Sequence, residues 1–280
     1  MMRRGLDPRV TEKLAFGALW VVMVIISLPV AGIVGYMLYR GGSALNWTLI
    51  SSVKEGLLPA IVGTIYLVVL TAVIAAPLGV GAAIFLSEYA RPGRLVRAIR
   101  LAIINLAGVP SVVHGLFGLA LFVLLFGFGR SLIAGAATLA LLVLPLVISA
   151  SEEALRQIPK GLREGSLALG ATKWQTVRRV VLPNALAGVI TGLILAISRA
   201  AGETAPILFT AAFYSLSDPF PDSLKDPVLA LPYQLYVMAT EAPGVTIETK
   251  WATATVLVLL VLGMNLAAIV VRARLRGRRW

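Results

Sequence analysis

The sequence has no cysteine and only one histidine, so it offers neither a disulfide framework nor a thiolate or multi-histidine metal site. Charge is also scarce, because Asp, Glu, Lys and Arg make up only 14% of the 280 residues. Acidic residues are the rarer kind, 13 against 25 Lys and Arg, which gives a formal net charge of +12. These shortages argue against metal catalysis and against a water-soluble globule.

Hydrophobic residues take their place, at 59% of the chain with a mean hydropathy of +0.91, as is typical of membrane proteins. A helix of about 20 apolar residues crosses the roughly 30 Å hydrocarbon layer and satisfies its own backbone hydrogen bonds. The sequence therefore predicts an all-α integral membrane protein with six transmembrane helices, the second and fifth tilted or kinked at Pro or Gly. The spans lie at about 14–39, 57–87, 104–127, 131–151, 184–211 and 252–271.

The basic residues predict the orientation of these spans. Four Lys and Arg precede the first span, four lie in 88–103, six in 152–183 and five in the C-terminal tail, while the opposite connections hold only five. Because Lys and Arg concentrate on the cytoplasmic side, both termini are predicted to be cytoplasmic, and topology rather than nucleic acid explains the net charge. We interpret the first apolar run as a retained helix rather than a signal peptide, since it extends to Tyr39.

The segment 152–183 is too long for a simple connector. From Lys160 to Arg179, charged residues alternate with Leu, Val and Trp around a glycine interruption, which predicts two short amphipathic helices. Such helices lie on a membrane or fill a groove on a partner, and a basic linker on acidic lipid is the simpler alternative. The spacing is Glu164-Gly165-Ser166, three residues, Gly170-Ala171, eight residues, Val180, one residue and Leu182-Pro183.

This spacing resembles the "EAA" coupling motif of ABC importer permeases, with Gly and Ser in place of its alanines and Val in place of its Ile. The resemblance implies a cytoplasmic coupling-helix loop between helices 4 and 5 that docks on a separate ABC ATPase dimer. The sequence itself contains no G-x-x-x-x-G-K-[ST] phosphate loop. We therefore expect a transport subunit that is not itself an enzyme and binds no cofactor, with ATP and Mg on the partner ATPase.

Three further stretches resemble the PstA-type permease subunit of bacterial phosphate ABC importers, and this resemblance extends from the first span to the last. They are "PLGVGAAIFLSEYA", "GVPSVVHGLFG" and "SRAAGETAPILFTAAF", and the outer "LPYQLY" adds to them. The resemblance implies inorganic phosphate as the substrate, a PstC-type sister permease, an extracytoplasmic phosphate-binding protein and the bacterial inner membrane. It places the importer domain at 57–275, preceded by a tail, first helix and outer loop at 1–56 and followed by a basic tail at 276–280.

Arg199 and Glu203 are the candidate substrate-path pair, because both lie within the fifth apolar span. If that span is one helix, Arg199 lies about 15 residues, or roughly 22 Å, from its start, with Glu203 one turn further. Charges at that depth face a pore or a partner. Either the two residues form only a structural ion pair, or Arg199 attracts the anion through its guanidinium fork while Glu203 positions it.

Neutral polar residues in apolar surroundings are weaker candidates for the same path. Ser111 follows Pro110, where the helix is expected to loosen, and Thr64 and Thr204 offer hydroxyl groups that also bond readily to their own helix. His114 is interpreted as a packing or hydrogen-bonding residue rather than a ligand.

Alternative functions remain at this point. The chain could carry another oxyanion, sulfate or molybdate, because charge and tetrahedral shape do not identify the central atom. A proton-coupled secondary transporter would use Glu203 and His114 as titrating groups, but its paired inverted repeats are not visible. A membrane-embedded lipid enzyme would need a cluster of catalytic side chains at one membrane face, which the sequence does not show.

Overall fold

The structure is a computed structural model that describes residues 8–53, 56–214, 218–242 and 244–276. Arg3, Arg4 and Lys54 of the predicted topology, and residues 277–280 of the basic tail, lie outside the described residues. Three π-helical turns, Phe85–Tyr89, Leu119–Leu125 and Val177–Val181, continue α3, α5 and α8. The helices are α1 Pro8–Gly42, α2 Trp47–Ser51, α3 Leu58–Ile84, α4 Arg94–Ala107, α5 Ser111–Gly118, α6 Leu132–Arg156, α7 Lys160–Ala168, α8 Lys173–Thr176, α9 Leu182–Gly202, α10 Ala205–Thr210, α11 Leu231–Thr240 and α12 Ile247–Arg276.

Within the described residues, five helical segments are long and apolar enough to cross a membrane. Each coincides with a predicted span, so the prediction of a multi-pass helical membrane protein is confirmed. The segments are Thr11–Gly42, Leu58–Tyr89, Leu132–Arg156, Lys173–Gly202 and Ile247–Arg274.

The third span predicted at 104–127 is a bent pair of helices, sharply broken at the position where Pro110 was expected to loosen it. Two helices, Arg94–Ala107 and Ser111–Leu125, meet there at an angle of 103°, and only as a bent pair would they bring the count of spans to six. Gly108 ends α4, and Pro110 stands in extended backbone with φ −57° and ψ 142° immediately before α5. Proline has no amide hydrogen and pushes the preceding residue away from helical angles, so the helix cannot continue through this point.

The fifth span also differs from the prediction, since α9 ends at Gly202 rather than near 211. Glu203 adopts extended angles, φ −77° and ψ 131°, and a separate helix begins at Ala205. Pro206 explains the break, because it cannot donate a hydrogen bond to the Gly202 carbonyl one turn earlier and its ring would clash with that group. At its other end the helix extends further than predicted, through a π-helical turn to Lys173.

The centre of the bundle is α6, which packs against α3 and α9. Small residues one turn apart bring α6 and α9 close together: a Cβ on Gly188 would lie 2.6 Å from the Cβ of Ala154, and one on Gly192 would overlap that of Ala150. The order of these pairs makes the two helices antiparallel. Where lipid offers no hydrophobic drive between helices, such close approach supplies the packing energy.

The first residues of α6 are held in place by other segments of the chain. At its start, the Ser131 amide donates to the Thr210 carbonyl at the end of α10, at 3.0 Å. A two-strand parallel sheet, β1 Ala212–Phe213 and β2 Val228–Leu229, follows beside it. The short helix α11 begins two residues after β2. We call this end of the bundle the α10 end and the opposite end the α7 end.

Gly192→Ala is predicted to destabilise the bundle, because the new methyl overlaps Ala150 and overpacking costs about 1–3 kcal/mol. Thermal unfolding in detergent should show a lower midpoint for this variant. The matched control is Gly81→Ala in α3, where a Cβ meets nothing within 4 Å. Equal midpoints for the two variants would contradict the close packing of α6 against α9.

Candidate functional site

The predicted coupling residues lie at the α7 end of the bundle, whereas the predicted substrate-path pair lies beside the middle of α6. Ala196 and Ala200, on either side of Arg199 in α9, pack in one cluster with Ala140, Leu142 and Val143 of α6. α10, which follows Glu203 directly, reaches the start of α6 through Thr210, whereas Arg163 of α7 donates to the Leu155 carbonyl at the end of α6. α6 has 25 residues and is therefore about 37 Å long. Any action of one group on the other must pass along the helices between them.

The helix, glycine and second helix predicted within Lys160–Arg179 are confirmed. α7 ends at Ala168, and Gly170 takes a left-handed backbone with φ +82°. The Ala171 amide donates to the Ser166 carbonyl at 3.3 Å as the chain reverses. Thr172 then starts α8 with a capping box, in which its hydroxyl accepts from the Gln175 amide and the Gln175 side chain accepts from its own.

The reversal leaves one side of this segment open. Glu164 and Gly165 are exposed, and four large apolar side chains are exposed beside them. We call these four residues the coupling surface; their exposed fractions are Leu162 47%, Leu167 48%, Leu169 90% and Trp174 57%.

Polar contacts hold the coupling segment, residues 160–180, together and attach it to the bundle. Ser166 Oγ lies 3.0 Å from Thr176 Oγ1, and Arg163 forms an ion pair with Glu88 at 2.7 Å. Sequence analysis singled out Ser166 but missed Arg163 and Glu88, which are 75 positions apart. The only sequence feature that pointed to this ion pair was the position of Glu88, an acidic residue just before the basic stretch at 91–100.

Leu182 and Pro183 form the first turn of α9 and are half-buried. Pro183 does not break the helix as Pro110 does. The π-helical turn Val177–Val181 precedes it and accommodates the proline. The coupling segment and α9 are therefore joined through one helical segment, Lys173–Gly202.

Arg199 lies in the last turn of α9, and Glu203 is the first residue beyond it. The Arg199 Nε atom is 3.4 Å from Glu203 Oε1, and the two side chains are 40% and 17% exposed. A cation in the last turn is also stabilised by the negative end of the helix dipole. Among the described residues this is the only ion pair of Arg199, and it involves one guanidinium nitrogen, Nε.

The two breaks in the helices are brought together by the packing of α5 against α10. A Cβ on Gly115 would lie 2.9 Å from the Ala205 carbonyl oxygen and 3.0 Å from the Pro206 Cα atom. Ser111, half-buried, is the first residue of α5. Irregular backbone at membrane depth is tolerated where protein covers it or where it lines a cavity, so the contact of α5 with α10 marks a candidate path.

His114 is buried at 4% exposure, with Nδ1 3.3 Å from the Pro110 carbonyl oxygen. This contact agrees with its interpretation as a packing and hydrogen-bonding residue, which stays a prediction. Thr64 is 2% exposed; its hydroxyl donates to the Ala60 carbonyl at 2.6 Å and accepts from the Leu231 amide at 2.9 Å. Those bonds give Thr64 a structural task, joining α3 to α11, and its place on the substrate path stays a prediction.

Thr204 lies between α9 and α10 and is half-buried. Its carbonyl accepts from the Leu208 amide at 3.1 Å, which begins α10. A contact between its hydroxyl and a substrate stays a prediction as well.

Gly170→Ala is predicted to loosen the coupling segment, because a left-handed backbone costs a residue with a Cβ about 1–2 kcal/mol. A steric clash is not the reason, since a Cβ added at Gly170, or at Gly161 in α7, would meet nothing within 4 Å. Hydrogen exchange over 160–180 should therefore quicken in Gly170→Ala and not in the matched control Gly161→Ala. Unchanged exchange in both variants would contradict the role given to the turn.

Comparison with known proteins gives the family. Residues 75–279 match the family described as "Binding-protein-dependent transport system inner membrane component". The chain is 35% identical to "Phosphate transport system permease protein PstA 1" of Mycobacterium tuberculosis (strain CDC 1551 / Oshkosh), over 97% of this chain and 91% of that one. It is 38% identical to "Probable ABC transporter permease protein YqgI" of Bacillus subtilis (strain 168), over 74% and 72%.

A solved structure of similar fold is a bacterial ABC transporter involved in the import of the acidic polysaccharide alginate. It superposes with a TM-score of 0.66 over 95% of this chain and 99% of that one, at 12% identity, which supports the fold alone. The profile match covers most of the sequence, and the first relative covers nearly all of it. The chain therefore belongs to the family of binding-protein-dependent transport system inner membrane components.

Proposed function

We propose that this chain is the transmembrane permease subunit of an ATP-driven importer of inorganic phosphate. The names of its relatives support the substrate, and the coupling motif supports the energy source. The observation that carries the proposal is the single helical segment Lys173–Gly202, which begins in the coupling segment and ends at Arg199 and Glu203. With 30 residues it is about 45 Å long, enough to join a cytoplasmic partner to a site deep in the membrane.

Arg199 supplies the chemistry that phosphate requires. A guanidinium group presents a planar fork of donors that matches two oxygens of a tetrahedral oxyanion, and it keeps its charge. Glu203 holds one side of that fork and lowers the net positive charge of the site. Weak binding suits transport, because an anion that is held tightly does not leave.

The coupling surface is the proposed docking site of the ABC ATPase dimer. Exposed Leu and Trp side chains around a small-residue helix suit insertion into a protein cleft. ATP and Mg would be bound by that dimer. A PstC-type sister permease would complete the path, and a phosphate-binding protein would deliver the anion at the α10 end.

The proposed topology places the α7 end and both termini in the cytoplasm of a bacterium, with the bent pair α4 and α5 counted as the sixth span of the inner-membrane protein. The basic residues near the α7 end support this orientation through the positive-inside rule. The importer domain is proposed to occupy 57–275, after the tail, helix and loop of 1–56 and before the tail at 276–280.

Sulfate and molybdate share the charge and shape of phosphate, so they remain the second candidates within the same mechanism. The identity of the relatives favours phosphate. Competition of each anion against radioactive phosphate during uptake, with the binding protein present, separates them.

Arg199→Ala is expected to reduce phosphate uptake by about a hundredfold in proteoliposomes holding the complete complex, since loss of a charge-assisted contact costs about 1.5–3 kcal/mol. Arg199→Lys should retain part of the activity because the charge remains while the fork is lost. Arg130→Ala is the control: it removes an arginine near Phe213, at the α10 end, without altering α9. Full uptake by a normally assembled Arg199→Ala complex would show that Arg199 only pairs with Glu203.

The orientation can be checked with single cysteines, because the chain has none of its own. Leu169→Cys and Leu224→Cys both replace exposed leucines, at the α7 end and the α10 end respectively. In cells that express the chain without its ATPase, a membrane-impermeant maleimide added from outside should label position 224 and reach 169 only after permeabilisation. The reverse labelling pattern would overturn the proposed topology.

A further inference from the structure

The π-helical turn Phe85–Tyr89, which ends α3, receives basic side chains from three separate segments. We call it the α3 end turn. π-helical turns in long helices are frequent at functional positions, because they widen the helix locally and expose its carbonyl groups. The three contacts are the ion pair of Arg163 in α7 with Glu88, the bond from Arg100 in α4 to the Leu86 carbonyl at 3.0 Å, and Lys173 in α8 at 5.0 Å from the centre of the Tyr89 ring.

Arg163 makes the largest number of these contacts, and each of its guanidinium nitrogens is used. Nε lies 3.2 Å from both carboxylate oxygens of Glu88, and Nη2 lies 2.7 Å from one of them. Nη1 donates to the Ile158 carbonyl at 2.5 Å, and Nη2 also donates to the Leu155 carbonyl at 2.7 Å. One side chain thus connects α7 with the end of α3 and with the end of α6.

The rest of α7 has little other attachment. No residue of this helix is fully buried, and among its nine residues only Arg163 and Ser166 are shielded from solvent in part. The Glu88 side chain, by contrast, is only 8% exposed. An apolar face does not hold α7 on the bundle, so the ion pair with its two carbonyl contacts takes that role.

We propose that Arg163 is a positioning residue that makes α7, the α3 end turn and the end of α6 move as one body when an ATPase acts on the coupling segment. The inference rests on the proposed function. If only the continuous helix Lys173–Gly202 linked the coupling segment to the bundle, a movement of that segment would be passed to α9 alone. Through Arg163 the movement is also passed to α3 and α6. Without Arg163, a force on α7 would move that helix relative to the bundle instead of moving α3 and α6 with it.

The chemistry of the contact decides which variants test it. Glu88→Gln keeps the size of the side chain and removes its charge. Arg163→Lys keeps the charge, but one ammonium group replaces a planar fork and cannot meet Glu88, Leu155 and Ile158 together in the same geometry. Arg156→Ala is the matched control, because Arg156 forms an ion pair with Glu152 at the same end of α6 and, among the described residues, has no ion pair or hydrogen bond with α7.

The first measurement is phosphate uptake per ATP hydrolysed in proteoliposomes with the complete complex and loaded binding protein. Glu88→Gln and Arg163→Lys are expected to lower this ratio by about tenfold, the size of a typical coupling between sites, while subunits still co-purify. Arg156→Ala should keep the wild-type ratio. A merely structural role would reduce assembly and leave the ratio of the assembled fraction unchanged, which would overturn the proposal.

The second measurement is the distance between spin labels at Gly161→Cys in α7 and Arg91→Cys just beyond the α3 end turn, both at exposed positions. In the otherwise wild-type complex, the distance distribution should stay narrow and unchanged when ATP binds. With Glu88→Gln added it should broaden. A wild-type distance that changes with ATP, or an unchanged distribution in the variant, would contradict the single rigid body.

The two measurements separate this inference from the proposed function. If the wild-type complex imports another oxyanion instead of phosphate, the uptake ratio is measured with that anion, and the label distances need only the complex and ATP. A complex without any ATPase partner would refute the proposed function itself. Should Glu88→Gln fail to assemble, Arg163→Lys decides between the outcomes.

Discussion

The close antiparallel contact between α6 and α9 is the interaction on which the rest of the structure depends. Glycines on α9 meet alanines on α6 with no room for another methyl group, so the two helices have one register. That register places the start of α9 beside the end of α6, and the last turns of α9 beside the middle of α6. In a bilayer, where apolar side chains gain nothing by leaving lipid, tight packing of small residues is one of the few ways to fix helices so firmly.

The fixed register has different consequences in two parts of the bundle. Within the bundle, prolines interrupt both the bent pair α4–α5 and the fifth span, and the short helices α5 and α10 that follow the breaks pack on one another. At the α7 end, helices are tied together by charged groups, Glu88, Glu152 and their arginine partners. In the proposed topology this end lies near water and lipid headgroups, where charged groups are tolerated, while Arg199 would lie deeper and need a pore or a partner.

Sequence reasoning predicted the elements that depend on local chemistry. Apolar run length located five spans, and the reversal at Gly170 followed from a glycine between two amphipathic stretches. It placed the end of the fifth span too far along, near 211, because hydropathy does not register the amide hydrogen that Pro206 lacks. At Pro110 it expected a loosened helix but not a bend of 103°. The ion pair of Arg163 with Glu88 was beyond reach, since it depends on how three helix ends meet in space.

The helix breaks at Pro110 and Pro206, together with the ion pairs at the α7 end, explain how one chain can be rigid in one part and movable in another. If α9 continued into α10 as one unbroken, packed helix, a force on α9 could act only by moving the whole bundle. Here α9 ends where backbone hydrogen bonding is already interrupted, so a displacement of Arg199 and Glu203 relative to α10 breaks no helical hydrogen bond. Under the proposed coupling, the stiff α7 end and the discontinuity after Gly202 would be two parts of one arrangement, in which motion enters at the α7 end and the break after Gly202 acts as a hinge.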